Sequence, residues 1–179
     1  MAVSDIKKIL QLKTIAVVGL SKDPAKDSHR VALYLKQQGY KIIPVNPNTD
    51  AVLEQICFPA LSKIPPEIAS TIEVVDVFRP GEETLEILLQ ALQLRGAYGK
   101  VTGIWLQEGI KNPKTEKYAR QAKLLFVQNK CMMKEHQKLF GKKNAQNAGK
   151  TAIEGNKTEK KGSKTEKKAL KPKKPAKTR

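Results

Sequence analysis

The chain has 179 residues, 40% of them hydrophobic, and a formal net charge of +17, which suits one domain with an appendage better than two full domains. No apolar run is long enough to form a helix across a bilayer. The two cysteines, Cys57 and Cys131, supply neither a disulfide framework nor a zinc-ligand spacing. The first ten residues lack a signal-peptide core and cleavage site, so a reducing cytoplasm is the expected setting.

Ser4 is expected to cap a short helix that runs through Ile9-Leu10. Thr14–Gly19 is a continuous β-branched run, read as a strand buried on both faces. Asp27 or Ser28 is expected to cap a helix from His29 to Gln38, with Val31, Leu35 and Tyr34 turned inward and Gly39 ending it. Lys41–Val45 is the second strand, stopped by Asn46-Pro47. A loop-rich stretch follows, with a short helix expected at Ala51–Ile56 and a break at Ile64-Pro65-Pro66.

Glu73–Phe78 is the next strand, and Gly81–Leu94 a helix with Leu85, Leu88, Leu89 and Leu92 on one face. Val101–Leu106 is a strand, Lys114–Ala122 a helix, Leu124–Val127 the last strand and Met132–Phe140 the closing helix. Strands alternating with helices imply an α/β fold, a Rossmann-like doubly wound parallel sheet of about five strands. The simplest order is 3-2-1-4-5, with Glu73–Phe78 taken as the fourth strand and Val101–Leu106 as the fifth.

The charge is unevenly distributed. Residues 142–179 hold 14 Lys/Arg against 3 Glu, and the first 141 hold 20 against 14. Past Gly141 the only large apolar residues are Ile153 and Leu170. Such a segment buries too little surface to offset its ordering entropy, so residues 142–179 are expected to form a disordered, lysine-rich tail. The tail contains an imperfect repeat, N-K-T-E-K-K-G followed by S-K-T-E-K-K-A. Such a tail suits polyanions, nucleic acid among them, with a solubilising or merely tolerated extension as the alternative. It has no aromatic residue, so base stacking and sequence preference are not expected. Residues 1–141 are the expected domain.

In an open parallel sheet, ligands bind beyond the carboxyl ends of the strands, at the point where the strand order reverses. The residues there are Gly19-Leu20-Ser21-Lys22, Asn46-Pro47-Asn48, Phe78-Arg79-Pro80 and Gln107-Glu108-Gly109. Small and amide residues, one aromatic ring and two cations suit a phosphorylated ligand with a ring to stack. The turn after the first strand leads into a helix whose N-terminal amides attract phosphate. Ser28 lies at that helix start, and Lys22, Lys26, His29 and Arg30 add charge.

The turn breaks the dinucleotide fingerprint, because Ser21 and Pro24 replace the second and third glycines of G-x-G-x-x-G. The end of the second strand reads Pro44-Val45-Asn46-Pro47, where NAD sites place an acid for the ribose hydroxyl. No nucleophile is placed beside a base. Asp76 lies inside an apolar strand and Glu108 follows another. His29 and His136 are read as helix-surface or capping residues, Cys131 as a half-buried cysteine rather than an activated thiolate, and Trp105 and Met132-Met133 as core.

Five motifs, V-V-G-L-S (17–21), P-V-N-P (44–47), V-D-V-F-R-P (75–80), W-L-Q-E-G (105–109) and C-M-M-K-E-H (131–136), resemble in order and spacing the stand-alone CoA-binding domain proteins (the YccU-like family). These are similar to the CoA-binding domain of the succinyl-CoA synthetase α subunit. The resemblance covers roughly residues 5 to 140. It implies non-catalytic binding of coenzyme A or an acyl-CoA. It assigns Gly19, Ser21 and Lys22 to the pyrophosphate turn and Asn46 and Pro47 to the adenosine end. Phe78 and Arg79 would lie against adenine or pantetheine, with Gln107 and Gly109 on the floor. Leu20, Ser28 and Arg30 complete the candidate set. Asn48 stands where many relatives carry a basic residue, and the tail has no counterpart in the family. The alternatives are an NAD(P)- or other nucleotide-binding regulatory protein, a nucleic-acid-associated protein acting through the tail, and the CoA-binding piece of a split acyl-CoA synthetase.

Overall fold

The computed structural model describes residues 3–147; residues 142–147, expected in the disordered tail, instead continue the last helix, and the rest of the expected tail, residues 148–179, lies outside the described residues. The elements in chain order are α1 (Val3–Ile9), β1 (Thr14–Val18), α2 (Asp27–Gln37), β2 (Lys41–Val45), β3 (Ala51–Val52), β4 (Gln55–Ile56), α3 (Pro66–Ala69), β5 (Val74–Val77), α4 (Thr84–Tyr98), β6 (Gly103–Leu106), α5 (Pro113–Gln121), β7 (Leu125–Val127) and α6 (Met132–Asn147). Short 3-10 turns stand at Leu61–Lys63 and Gly81–Glu83.

Five strands form a parallel sheet in the order β2-β1-β5-β6-β7, the expected α/β Rossmann-like fold. β5 and β6 are buried at every position, as a sheet covered on both faces requires. One face carries a core of residues such as Ala16, Ile43, Val75, Leu88 and Phe126, and the other one of residues such as Ile9, Val17, Leu35, Trp105 and Met132. The second face is covered by α1, α2 and α6, and the first by α4 and α5.

The expected order 3-2-1-4-5 needs correction. Among the described residues no strand lies outside β2 in this sheet, so counted along the chain the order is 2-1-3-4-5. The place of a third strand is taken by the antiparallel hairpin β3–β4, where a short helix was expected. The hairpin turn places Leu53 and Glu54 at φ 53° and 61°, without the Asn-Gly pair that normally announces such a turn. Lys36 compensates from the end of α2, its Nζ donating to the Leu53 carbonyl at 2.7 Å and to Glu54 Oε2 at 3.3 Å.

Several local expectations also shift. Ser4 lies within α1 rather than capping it. The N-cap of α2 is Lys26, without a side-chain cap bond, because Ser28 is used elsewhere. On α4 the buried positions are Thr84, Ile87, Leu88, Ala91 and Leu94, with Leu89 50% exposed. That helix is covered by the sheet and also by α5, through the Thr84–Thr115 hydroxyl pair at 2.8 Å and the Arg95 bond to the Ala122 carbonyl at 2.6 Å. Its inward arc is therefore wider than, and rotated from, the leucine stripe. Among the described residues, no helix is long and apolar enough to cross a membrane.

Candidate functional site

The carboxyl ends of β1, β2, β5 and β6 converge at the point where the strand order reverses. The turn after β1 is shaped by a dense set of short bonds. Gly19 N donates to the Val45 carbonyl at 2.8 Å, and its φ of +87° lies where a side chain is strained. A Cβ there would also stand 3.1 Å from the Phe78 carbonyl and from Arg79 Cδ. Glycine therefore lets the chain after β5 cross against the turn.

Ser28 Oγ accepts from Ser21 N at 3.0 Å, and Ser21 Oγ from Asp23 N at 3.1 Å. His29 Nδ1 donates to the Ser21 carbonyl at 3.0 Å. Asn46 Nδ2 donates to the Leu20 carbonyl at 2.9 Å, and its Oδ1 accepts from Asn48 N at 3.0 Å. Leu20 is fully buried. Among the predicted site residues, Leu20, Ser28 and Asn46 thus use these groups to shape the turn. Ser21 is partly exposed, and Lys22 and Arg30 are exposed.

Two cavities flank the crossing. One, of about 170 Å³, opens between Gly19, Val45, Pro47, Leu61, Arg79 and Ile87, with Glu83, Glu86 and Gln90 along one wall. The other, of about 260 Å³, lies on the β6 side, lined by Val31, Phe78, Gln107, Ile110, Cys131 and Met133, with Asp27, Arg30, Glu108 and Lys134. Of the predicted residues, Gly19, Pro47 and Arg79 border the first cavity, and Arg30, Phe78 and Gln107 the second. Gly109 borders neither; its amide donates to Asn129 Oδ1 at 2.9 Å.

Arg79 is held by Glu83 through two bonds of 2.8 Å. Those bonds and the Glu83 charge raise the guanidinium pKa. At the second cavity Arg30 pairs with Asp27, and Lys134 with Glu108 at 2.6 Å.

Beneath the second cavity, Asp76 of β5 is fully buried. Burial pushes its pKa up to about 7, against the lowering effect of bonds from Gln107 and the backbone at Val77. Gln107 Nε2 spans both Asp76 oxygens at 2.8 and 2.9 Å, and its Oε1 accepts from Met132 N at 3.3 Å. One amide therefore joins β5, the end of β6 and the start of α6.

His136 was expected at a surface or cap, yet it is buried. Its Nδ1 bonds with the Tyr34 hydroxyl at 3.0 Å, and the rings of Tyr34, Tyr40 and Phe140 surround it. It lines neither of the two cavities and borders a separate one with Leu10, Lys13, Tyr40 and Phe140. Cys131, 9% exposed, borders the second cavity. Among the described residues, no cluster of three His, Cys, Asp or Glu could hold a metal.

Sequence reasoning missed Val31, Ile110 and Met133 as cavity lining, and Glu83 as the partner of Arg79. The spacing of Arg79 and Glu83, four apart at the start of a helix, was the available signal for that pair.

The family described as CoA binding domain matches residues 13–137. The uncharacterized protein YneT of Bacillus subtilis (strain 168) is 33% identical over 134 residues, 74% of this chain and 93% of YneT. A solved hypothetical protein from Pyrococcus horikoshii OT3 is 37% identical with a TM-score of 0.70, covering 79% of this chain and 94% of that one. Acetate–CoA ligase (ADP-forming) II of Archaeoglobus fulgidus is 32% identical over 119 residues, 64% of this chain but 17% of the ligase. The match, over residues 13–137 and so over most of the folded region, places the chain in the CoA binding domain family.

Proposed function

We propose that the protein binds coenzyme A or an acyl-CoA without catalysing a reaction of its own. The adenosine end takes the cavity beside β2 and the pyrophosphate crosses the Ser21 turn at the start of α2. The pantetheine arm passes Phe78 toward the cavity beside β6. The observation that carries this reading is the pair of cavities on opposite sides of the Gly19 turn. Neither reaches the roughly 300–1,000 Å³ of a drug-sized pocket, which favours an elongated ligand laid across both.

Asn46 argues against NAD, because its side chain is already bonded to Leu20 and Asn48 and is no acid. Asp76 is read as structural, since both its oxygens meet Gln107. Calorimetry with CoA, NAD, NADP and ATP tests the reading; tighter binding of NAD than of CoA overturns it. Mass spectrometry of small molecules released from the purified protein would name the species carried.

Two further readings rest on separate observations. Residues 142–179, with 14 Lys/Arg against 3 Glu, suit a polyanion such as nucleic acid. Neutralising roughly six to ten phosphates makes affinity fall about 10³–10⁵-fold between ~50 and ~200 mM salt. Binding that survives deletion of 142–179 overturns that assignment. The likeness to part of an acetate–CoA ligase suits the CoA-binding piece of a larger assembly, which copurification of a partner chain with a phosphorylatable histidine would support.

A further inference from the structure

Resting on the CoA reading above, we propose that the cavity beside β6 receives a short, uncharged acyl group, so that the preferred ligand is a short-chain acyl thioester of CoA. The direction follows from the fold. Dinucleotide ligands lie across the crevice where the strand order reverses, with one half on each side. With the base against β2 and the phosphates at the start of α2, the far end of the ligand reaches β5 and β6.

The lining of that cavity sorts by depth. Val31, Phe78, Ile110, Cys131 and Met133 supply an apolar wall, with Val31 only 3% exposed. The charged groups are paired and solvent-facing: Arg30 and Asp27 are 61% and 77% exposed, Lys134 and Glu108 56% and 60%. The buried polar group in the lining is Gln107, and its amide is committed at both ends, to Asp76 and to Met132 N. A polar acyl group would be desolvated there with no ready partner, whereas an aliphatic one gains by burial.

Size sets the limit. At about 30 Å³ for each water-sized unit, a cavity of about 260 Å³ holds on the order of eight such units. The sulfur end of the pantetheine arm fills part of it, which leaves room for a chain of about four carbons.

Calorimetry on the full chain with CoA, acetyl-CoA, propionyl-CoA, butyryl-CoA and succinyl-CoA tests the assignment. Affinity is expected to rise about fourfold with each added methylene from acetyl to butyryl, with succinyl-CoA no tighter than CoA. Met133→Trp, checked for a native unfolding curve, should bring butyryl-CoA down to the affinity of free CoA. A flat or falling series with CoA still bound overturns the acyl pocket and leaves the CoA reading standing. Failure to bind any of the five overturns the CoA reading itself.

The direction is tested separately with bromoacetyl-CoA. The Cys131 thiol gives its proton to solvent, its sulfur then attacks the bromomethyl carbon, and the S–C bond forms as the C–Br bond breaks and bromide departs. Peptide mapping should place the adduct on Cys131. An adduct on Cys57 instead, which lies beside the Asn46 carbonyl at the β2 end, would reverse the ligand and overturn the proposal.

Discussion

Replacing Asp76 with asparagine isolates the cost of holding one carboxyl inside the sheet. Asp76 sits in register between Val17 of β1 and Trp105 of β6, and burial raises its pKa to about 7. In the unfolded chain an aspartate titrates near 3.9. Between about pH 4 and pH 7 the native protein therefore keeps a proton that the unfolded chain has released. Stability falls by about 1.4 kcal/mol for each pH unit gained across that interval. The stabilising proton is fully present below about pH 4 and lost through about pH 7, a total on the order of 4 kcal/mol.

Asparagine does not titrate, so the Asp76→Asn variant should escape this loss. Its amide nitrogen stands where an Asp76 oxygen accepts from Gln107 Nε2, so two donors face each other there, a roughly constant penalty of about 1–3 kcal/mol. Urea unfolding at pH 4, 5, 6, 7 and 8 can be followed by the fluorescence of the single tryptophan, Trp105, which is fully buried. Other titrating groups cancel in the difference between variant and wild type. That difference should climb in favour of the variant by several kcal/mol up to about pH 7 and then level off. A flat difference from pH 4 to pH 8 refutes the reasoning.

Three further expectations concern the turn and the layers around it. Gly19→Ala combines a φ of +87° with a 3.1 Å approach to Phe78, so it should cost at least about 1–3 kcal/mol in urea unfolding; wild-type stability would contradict the close crossing. Ser21→Ala and Arg79→Ala should each weaken CoA binding in calorimetry. The half-exposed Arg79–Glu83 pair contributes no more than about 1 kcal/mol to folding, and if neither substitution changes affinity the site is misplaced. Burial, and then the charge of Lys13, lowers the His136 pKa. Its contribution is therefore present above the ordinary histidine range and lost as pH falls through the lower folded value. His136→Phe should flatten the acid side of the stability curve, and an unchanged acid limb would assign that limb to other groups.

The strands were legible because their signal is local. T-I-A-V-V and V-V-D-V are short apolar runs ended by glycine or by an aromatic-arginine pair, and such runs become buried parallel strands. The β3–β4 hairpin was not legible, because Leu53 and Glu54 are poor residues for a positive φ and their support comes from Lys36. The wrong face on α4 has a similar origin: a leucine count says nothing of a second helix covering its flank.

At the site, position along the chain located the turns, but not which side chains are free to meet a ligand. Ser28 and Asn46 read as candidate contacts and are bonded within the turn. His136 read as surface because two tyrosines that enclose it come from α2 and the turn just before β2, distant in sequence.

Pro44 interrupts the outer margin of β2. Its carbonyl accepts from Phe58 N at 3.0 Å, and Asn46 N donates to the Phe58 carbonyl at 2.8 Å, so position 44 faces outward, where an added strand would dock. A proline there offers no donor to a newcomer, and the single bridge to Phe58 occupies the neighbouring positions. Lys41 adds an exposed charge at the other end of the strand. The sheet is thus stopped chemically at β2, which protects a protein with Ile56 72% exposed beside that margin from edge-to-edge aggregation.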